Sequence, residues 1–170
     1  MTFNVRHPLV ENQYCSFNKD TSETLPVAAG TVVYVMGETS DSRALVDVVS
    51  DASAQVNLIA GFLMQKVVAE SSEMPPGFMF RSQMGSTDAI VQDSHPPVGV
   101  ASGKGAVYEI DQYVDNGSDG IAAGTVLYVD DDGKLEDTQT DSGPAAAVAL
   151  NTLTAADVTA GKMLRILTLI

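Results

Sequence analysis

The stretch that decides the fold is Ala122-Ala-Gly-Thr-Val-Leu-Tyr-Val129, which runs directly into Asp130-Asp-Asp-Gly133-Lys-Leu135. An apolar run that breaks at an acidic Asp-Gly turn and then resumes predicts two short strands joined by a tight hairpin. The same opening stands upstream as Ala28-Ala-Gly-Thr-Val-Val-Tyr-Val35, with Val33 where the second copy has Leu127. The copies are offset by 94 residues (122 − 28 = 94), and Tyr14 and Tyr108 keep that offset. A chain that writes one strand-and-turn unit twice predicts two related β halves, 14–90 and 91–170, preceded by an arm at 1–13 and able to share one core. Within the first copy, Thr31, Val33 and Val35 fall on one face and Val32 and Tyr34 on the other. Both faces are largely apolar, so this strand is expected to be covered on both sides.

Working outward, strands are expected at 14–17, 42–50, 106–114, 145–150 and 163–170, with an edge strand at 78–84. In 106–114 the alternation places Tyr108, Ile110 and Gln112 opposite Val107, Glu109, Asp111 and Tyr113. The stretch 53–69 is ambiguous. Val56, Ile59, Leu63 and Val67 fit a helical stripe, but Gly61 interrupts it and its counterpart, 145–150, is too short for a helix. Strand followed by a bend is the better reading. Thr154 can cap one helical turn ending at Gly161. Short strands at close spacing, separated by Gly- and Asp-rich turns, predict an all-β fold: a compact sandwich or barrel of antiparallel strands with minimal helix.

At 170 residues and 45% hydrophobic, the chain is long enough for a real core and too apolar for general disorder. Its net charge of −13 disfavours nucleic acid as a partner, which would demand a basic surface. The single cysteine, Cys15, can form no internal disulfide and reads as a small buried residue. The N-terminus has no secretory apolar run, and the longest mostly apolar stretch, 56–69, contains Asn57, Gln65 and Lys66. A soluble protein with no membrane partner is expected.

No catalytic or cofactor constellation is expected either. His7 and His95 stand alone in the sequence, without metal-ligand spacing, and no nucleophile elbow, P-loop or C-x-x-C is present. The sharpest chemical candidate is Asp130-Asp-Asp-Gly133 as a calcium loop. In the EF-hand register, positions one and twelve fall on Tyr128 and Gln139, neither of them a carboxylate. The stretch therefore reads as an exposed acidic hairpin tip, and no metal site is assigned.

The second half resembles the small bacteriophage capsid decoration (cement) proteins, whose pattern runs Ala-Gly-x-x-Val-Tyr-x-Asp, Gly-Lys-Val, Val-Gly-Val-Ala-Leu, then Gly-x-x-Val-x-Val-Leu. The residues that carry the likeness are Ala123-Gly124, Val126, Tyr128, Asp130, Gly133-Lys134-Leu135, Ala147-Val-Ala-Leu150, Gly161 and Leu164-Arg-Ile-Leu167. They cover roughly 105–170, and 14–60 more weakly through the repeat. The chain departs from the pattern in its greater length and in Ala147 where glycine is usual.

The resemblance implies a non-enzymatic structural protein, made in the host cytoplasm and carried on the outer capsid surface of a virion. It would bind the major capsid protein, often as a trimer, and stabilise the shell. The alternative weighed against it is a carbohydrate-binding or tail-associated adhesion module, which the lack of Trp disfavours. A small hydrolase is disfavoured by the lack of any spaced nucleophile–base pair. Apolar residues flanked by prolines mark the candidate contact surface for capsid or sister subunits: Phe3, Val5, Arg6, His7, Leu9 and Val10 in the arm, with Met74, Pro75, Pro76 and Phe78.

Overall fold

A computed structural model of the chain describes residues 4–7, 11–18, 26–39, 42–67 and 97–170. The loop expected at 70–77 and the edge strand expected at 78–84 lie outside them. Five strands, β2 (Glu11–Phe17), β3 (Val32–Glu38), β4 (Ala44–Val48), β5 (Ile59–Leu63) and β6 (Pro97–Ser102), close a barrel in the order β2-β4-β3-β5-β6. A short first strand, β1 (Asn4–His7), belongs to the other half.

That half contains β7 (Val107–Ile110), β8 (Tyr113–Val114), β9 (Gly120–Ile121), β10 (Val126–Val129), β11 (Leu135–Glu136), β12 (Ala145–Ala149), β13 (Leu153–Thr154), the single-turn helix α1 (Ala155–Thr159) and β14 (Leu164–Thr168). Its main sheet runs β1-β7-β14-β12-β10-β11-β8, and β9 and β13 pair separately. Only Asp111 and Gln112 separate β7 from β8, so the sheet curls until β7, next to its β1 edge, and β8, its other edge, lie on one segment of chain.

The two octets take one conformation. Gly30 and Gly124 hold φ of 89° and 91°, which explains why glycine stands at that turn. Gly30 N–H donates to Leu63 O (2.7 Å) and Leu63 N–H to Thr31 O (2.8 Å). In the second copy Gly124 N–H donates to Ala149 O (2.8 Å) and Ala149 N–H to Thr125 O (2.9 Å). Each copy then runs antiparallel to its neighbour with a register slip at the same place, after Val33 in the pair β3–β5 and after Leu127 in the pair β10–β12.

The remaining pairings follow suit. β3 pairs antiparallel with β4 as β10 does with β11, while β4 lies parallel to β2 as β11 does to β8. β5–β6–β2 matches β12–β14–β7. The continuous β2 of the first half thus corresponds to the broken β7–β8 of the second. Because of that break, the offset is not constant along this strand. Tyr108 lies opposite Ile166, a place taken in the first barrel by Gln13 opposite Val100, one residue from Tyr14. β6 closes the first barrel although it follows residue 91, so in the sheet topology the halves divide after Ser102.

Two cores result. Cys15, Phe17, Val33, Val46, Val48, Leu63, Val98 and Val100 fill the first barrel. The second cluster contains Tyr108, Ile110, Leu127, Val129, Leu135 and Ile166, and it takes in Val32, Val49, Ala52, Phe62 and Ala101 from the first half. Consecutive residues Val32 and Val33, both fully buried, therefore enter different cores, and the start of β3 is covered on both faces while its Met36–Glu38 end is exposed. The Phe62 and Tyr108 rings meet at 6.3 Å across the junction.

The described part of the ambiguous stretch, 53–67, resolves as turns followed by strand β5 and a bend. Gly61 explains the choice. It holds φ of 141° and a side chain there would lie 2.2 Å from Ala101 O, so the strand packs flush on β6. The last strand is pinned as its apolar sequence requires, and Gly103 N–H donates to Ile170 O (3.0 Å).

Candidate functional site

The acidic hairpin tip is not simply exposed. Asp130 is buried, and its Oδ1 accepts from Lys134 N–H (2.6 Å) and Asp132 N–H (3.0 Å). Burial pushes its carboxyl above the ordinary value, and the two backbone donors and nearby Lys134 pull against that rise. Asp131 Oδ1 reaches into the first half and accepts from Ala52 N–H (2.7 Å). Gly133 O accepts from Val32 N–H (2.7 Å). Gly133 holds φ of 70°, and a Cβ there would stand 2.7 Å from Val32 O. The sequence reading of an exposed tip is thus corrected: Asp130 is buried and fixes the tip's own turn, Gly133 and Asp131 tie that turn to Val32 and Ala52 of the first half, and only Asp131 and Asp132 are exposed. A backbone-capping carboxylate takes N–H donors in the place a calcium loop would present to its cation.

A second acidic constellation forms where linear spacing gives no sign of it. The carboxylates of Asp115, Asp119 and Asp137 offer oxygens that all lie within 4.8 Å of one another. The parallel pairing of Val114 with Glu136 is what sets Asp115 beside Asp137. Asp115 Oδ2 accepts from Gly120 N–H (2.8 Å), while its Oδ1 is buried with no hydrogen-bond partner. Asp137 Oδ1 accepts from Asn116 N–H (2.9 Å). Gly117 leaves the space between open, since a Cβ there would stand 2.6 Å from Asp119 Oδ1.

Beneath this loop Glu136 is 1% exposed. Its Oε1 accepts from Thr140 N–H (2.7 Å), and its Oε2 from Asn116 Nδ2 (2.8 Å) and the Thr140 hydroxyl. One carboxylate thereby ties together the loops that follow β8 and β11. Hard oxygen ligands at this spacing match the donor preference of calcium, and equally the form of a solvated acidic turn. The fold joins Asp115 and Asp119 with Asp137. The Asp115-Asn-Gly-Ser-Asp-Gly120 turn was the available signal, and Asp137 required the sheet register.

Of the candidate contact residues, Val5, Arg6 and His7 lie in β1, whose backbone pairs antiparallel with β7, Val5 opposite Tyr108 and His7 opposite Val107. Phe3, Leu9, Val10, Met74, Pro75, Pro76 and Phe78 lie outside the described residues, as does His95. Cys15 is buried, and burial pushes its thiol up, the opposite of what an activated nucleophile needs.

No protein-family model and no curated protein sequence matches this chain.

Proposed function

We propose that this chain is a structural protein of a phage virion that binds the outer surface of the assembled capsid, contacts the major capsid protein and stabilises the shell, working as a homo-oligomer with a trimer favoured. One observation carries the reading: the residues of the decoration-protein pattern coincide with the residues that build the second half. Ala123-Gly124 form the entry turn of β10, Asp130 to Leu135 the clamped tip, Ala147 to Ala149 the end of β12 and Leu164 to Leu167 most of the terminal strand. A body braced in this way suits a protein whose task is mechanical. Its acidity favours dispersal of free copies before they dock.

The proposed contact surface is the segment from Phe3 to Val10 together with Met74 to Phe78. The test is co-sedimentation of purified protein with capsids lacking it, and the shift in capsid melting that follows. Binding with a higher capsid melting temperature is the expected result, and absence of binding would end the proposal. Deleting residues 2–10 should lower occupancy on particles. Because the deletion also strips β1 from β7, the truncated protein's own melting curve is compared alongside. Unchanged occupancy would remove the arm from the interface.

A further inference from the structure

The duplicated topology contains an interface whose counterpart is only partly covered among the described residues, with Val148 and Leu167 half-buried. In the first half, the cross-strand row Val32–Phe62–Ala101 on the outer face of β3, β5 and β6 is fully buried. The second half covers it: Gly133 of the hairpin tip takes the Val32 N–H, and Phe62 packs against Tyr108. The equivalent row in the second half is Val126–Val148–Leu167 on β10, β12 and β14. It is apolar as well, yet Val126 is 38% exposed, and Leu150, two residues past Val148 on the same face, is 41% exposed.

The surfaces that meet inside the chain are different ones. The first half contributes its sheet face and the second half its β10–β11 tip together with Tyr108 of β7, so the contact is heterologous, and a heterologous contact leaves one further surface of each kind. The unused face is Val126–Val148–Leu167. The first half's counterpart of Asp130 to Gly133 begins at the end of β3, Met36 to Glu38, where Met36 is 43% exposed and its Sδ accepts from Asn18 Nδ2 (3.0 Å).

We infer that copies of this chain associate head to tail, the outer face of the second half receiving the Met36 end of β3 from a neighbouring copy. The occupant is a second copy because that hairpin end is the counterpart of the structure that covers the same row within the chain, and Met36 brings an adaptable apolar side chain to an apolar face. Head-to-tail contacts close into a ring where the rotation permits. This gives a geometry to the oligomer in the proposed function, but it does not depend on the capsid. Copies each carrying a charge of −13 repel, so added salt should strengthen the association.

The test is sedimentation velocity of the full chain without capsids, over a concentration series at low and high salt. Mass above that of the monomer should grow with concentration and with salt. Met36→Asp and Val126→Asp should each abolish it, and Leu150→Lys repeats the second disruption at a separate exposed position. Circular dichroism checks that each variant keeps the wild-type fold. Mixing the Met36→Asp and Val126→Asp proteins should restore a species of twice the monomer mass and nothing larger, because each variant retains one good surface. A wild type that stays monomeric throughout, whether the face is covered by the chain's own 68–96 or reserved for another protein, overturns the inference. So do variants that still associate, and a mixture that stays monomeric. Failure to bind capsids would leave these results standing.

Discussion

At the scale of single residues, glycines with the same backbone conformation carry different burdens. Gly124 holds φ of 91° with nothing within 4 Å of where a Cβ would sit, so Gly124→Ala should cost about 1 kcal/mol of backbone strain. Gly133 adds close contact with Val32 O, Thr31 and Val48 to a similar φ, and Gly133→Ala should cost about 3 kcal/mol by displacing the clamp. Denaturant midpoints of the two variants check the ranking, and equal losses would mean that the tip is not held. Asp130 gives a pH signature. Its folded-state carboxyl lies above the ordinary value, chiefly through burial, so the folded state holds that proton more tightly than the unfolded chain. The associated stability is full at acid pH and lost as pH rises through the raised folded value. Asn at this position can still accept both N–H bonds without a buried charge. Asp130→Asn should therefore match the wild type near pH 4 and equal or exceed it near neutrality. A variant that is weaker at neutral pH would contradict this.

At the scale of elements, α1 shows how much a single turn depends on its ends. Five residues without one buried among them cannot hold a helix by packing or propensity. Thr154 and Asp157 form a reciprocal capping box, with Thr154 Oγ1 accepting from Asp157 N–H (3.3 Å) and Asp157 Oδ2 from Thr154 N–H (3.1 Å). Lys162 completes the arrangement through an ion pair with Asp157. Thr154→Ala should cost about 1 kcal/mol, read as a lower melting temperature. The Lys162 partner first, and then the Thr154 donors, hold the Asp157 carboxyl down at about 2. The support it gives is present above the ordinary carboxylate value of 3.8 and is lost as pH falls toward 2. Carboxyl titration by NMR should place that group near 2, and an ordinary midpoint would break the reading. This turn was legible in the sequence because caps act over three residues. The β7–β8 break was not, since Asp111 and Gln112 continue the alternation of 106–114 and nothing local marks an interruption.

At the scale of the molecule, the shared core makes the halves one thermodynamic body. Val32, Phe62 and Ala101 are external to the first barrel and internal to the combined core. Phe62→Ala should therefore cost about 3–5 kcal/mol. It should lower a single transition, with the calorimetric enthalpy equal to the van't Hoff value. Two separated transitions would show that the halves fold independently. Periodicity and turn chemistry determined the class, the repeated hairpin, a strand and bend rather than a long helix within 53–69, and the capped turn, because strand alternation, glycine at positive φ and capping are local in sequence. Tertiary structure alone decided that the acidic tip is a clamp, that Asp137 joins Asp115 and Asp119, and that the two copies of one row meet opposite fates. Val32 and Val126 occupy the same place in the repeat, and local physics treats them alike. One is buried and the other exposed because the second half has the first to lie against, and within the described residues the row containing Val126 has no such cover.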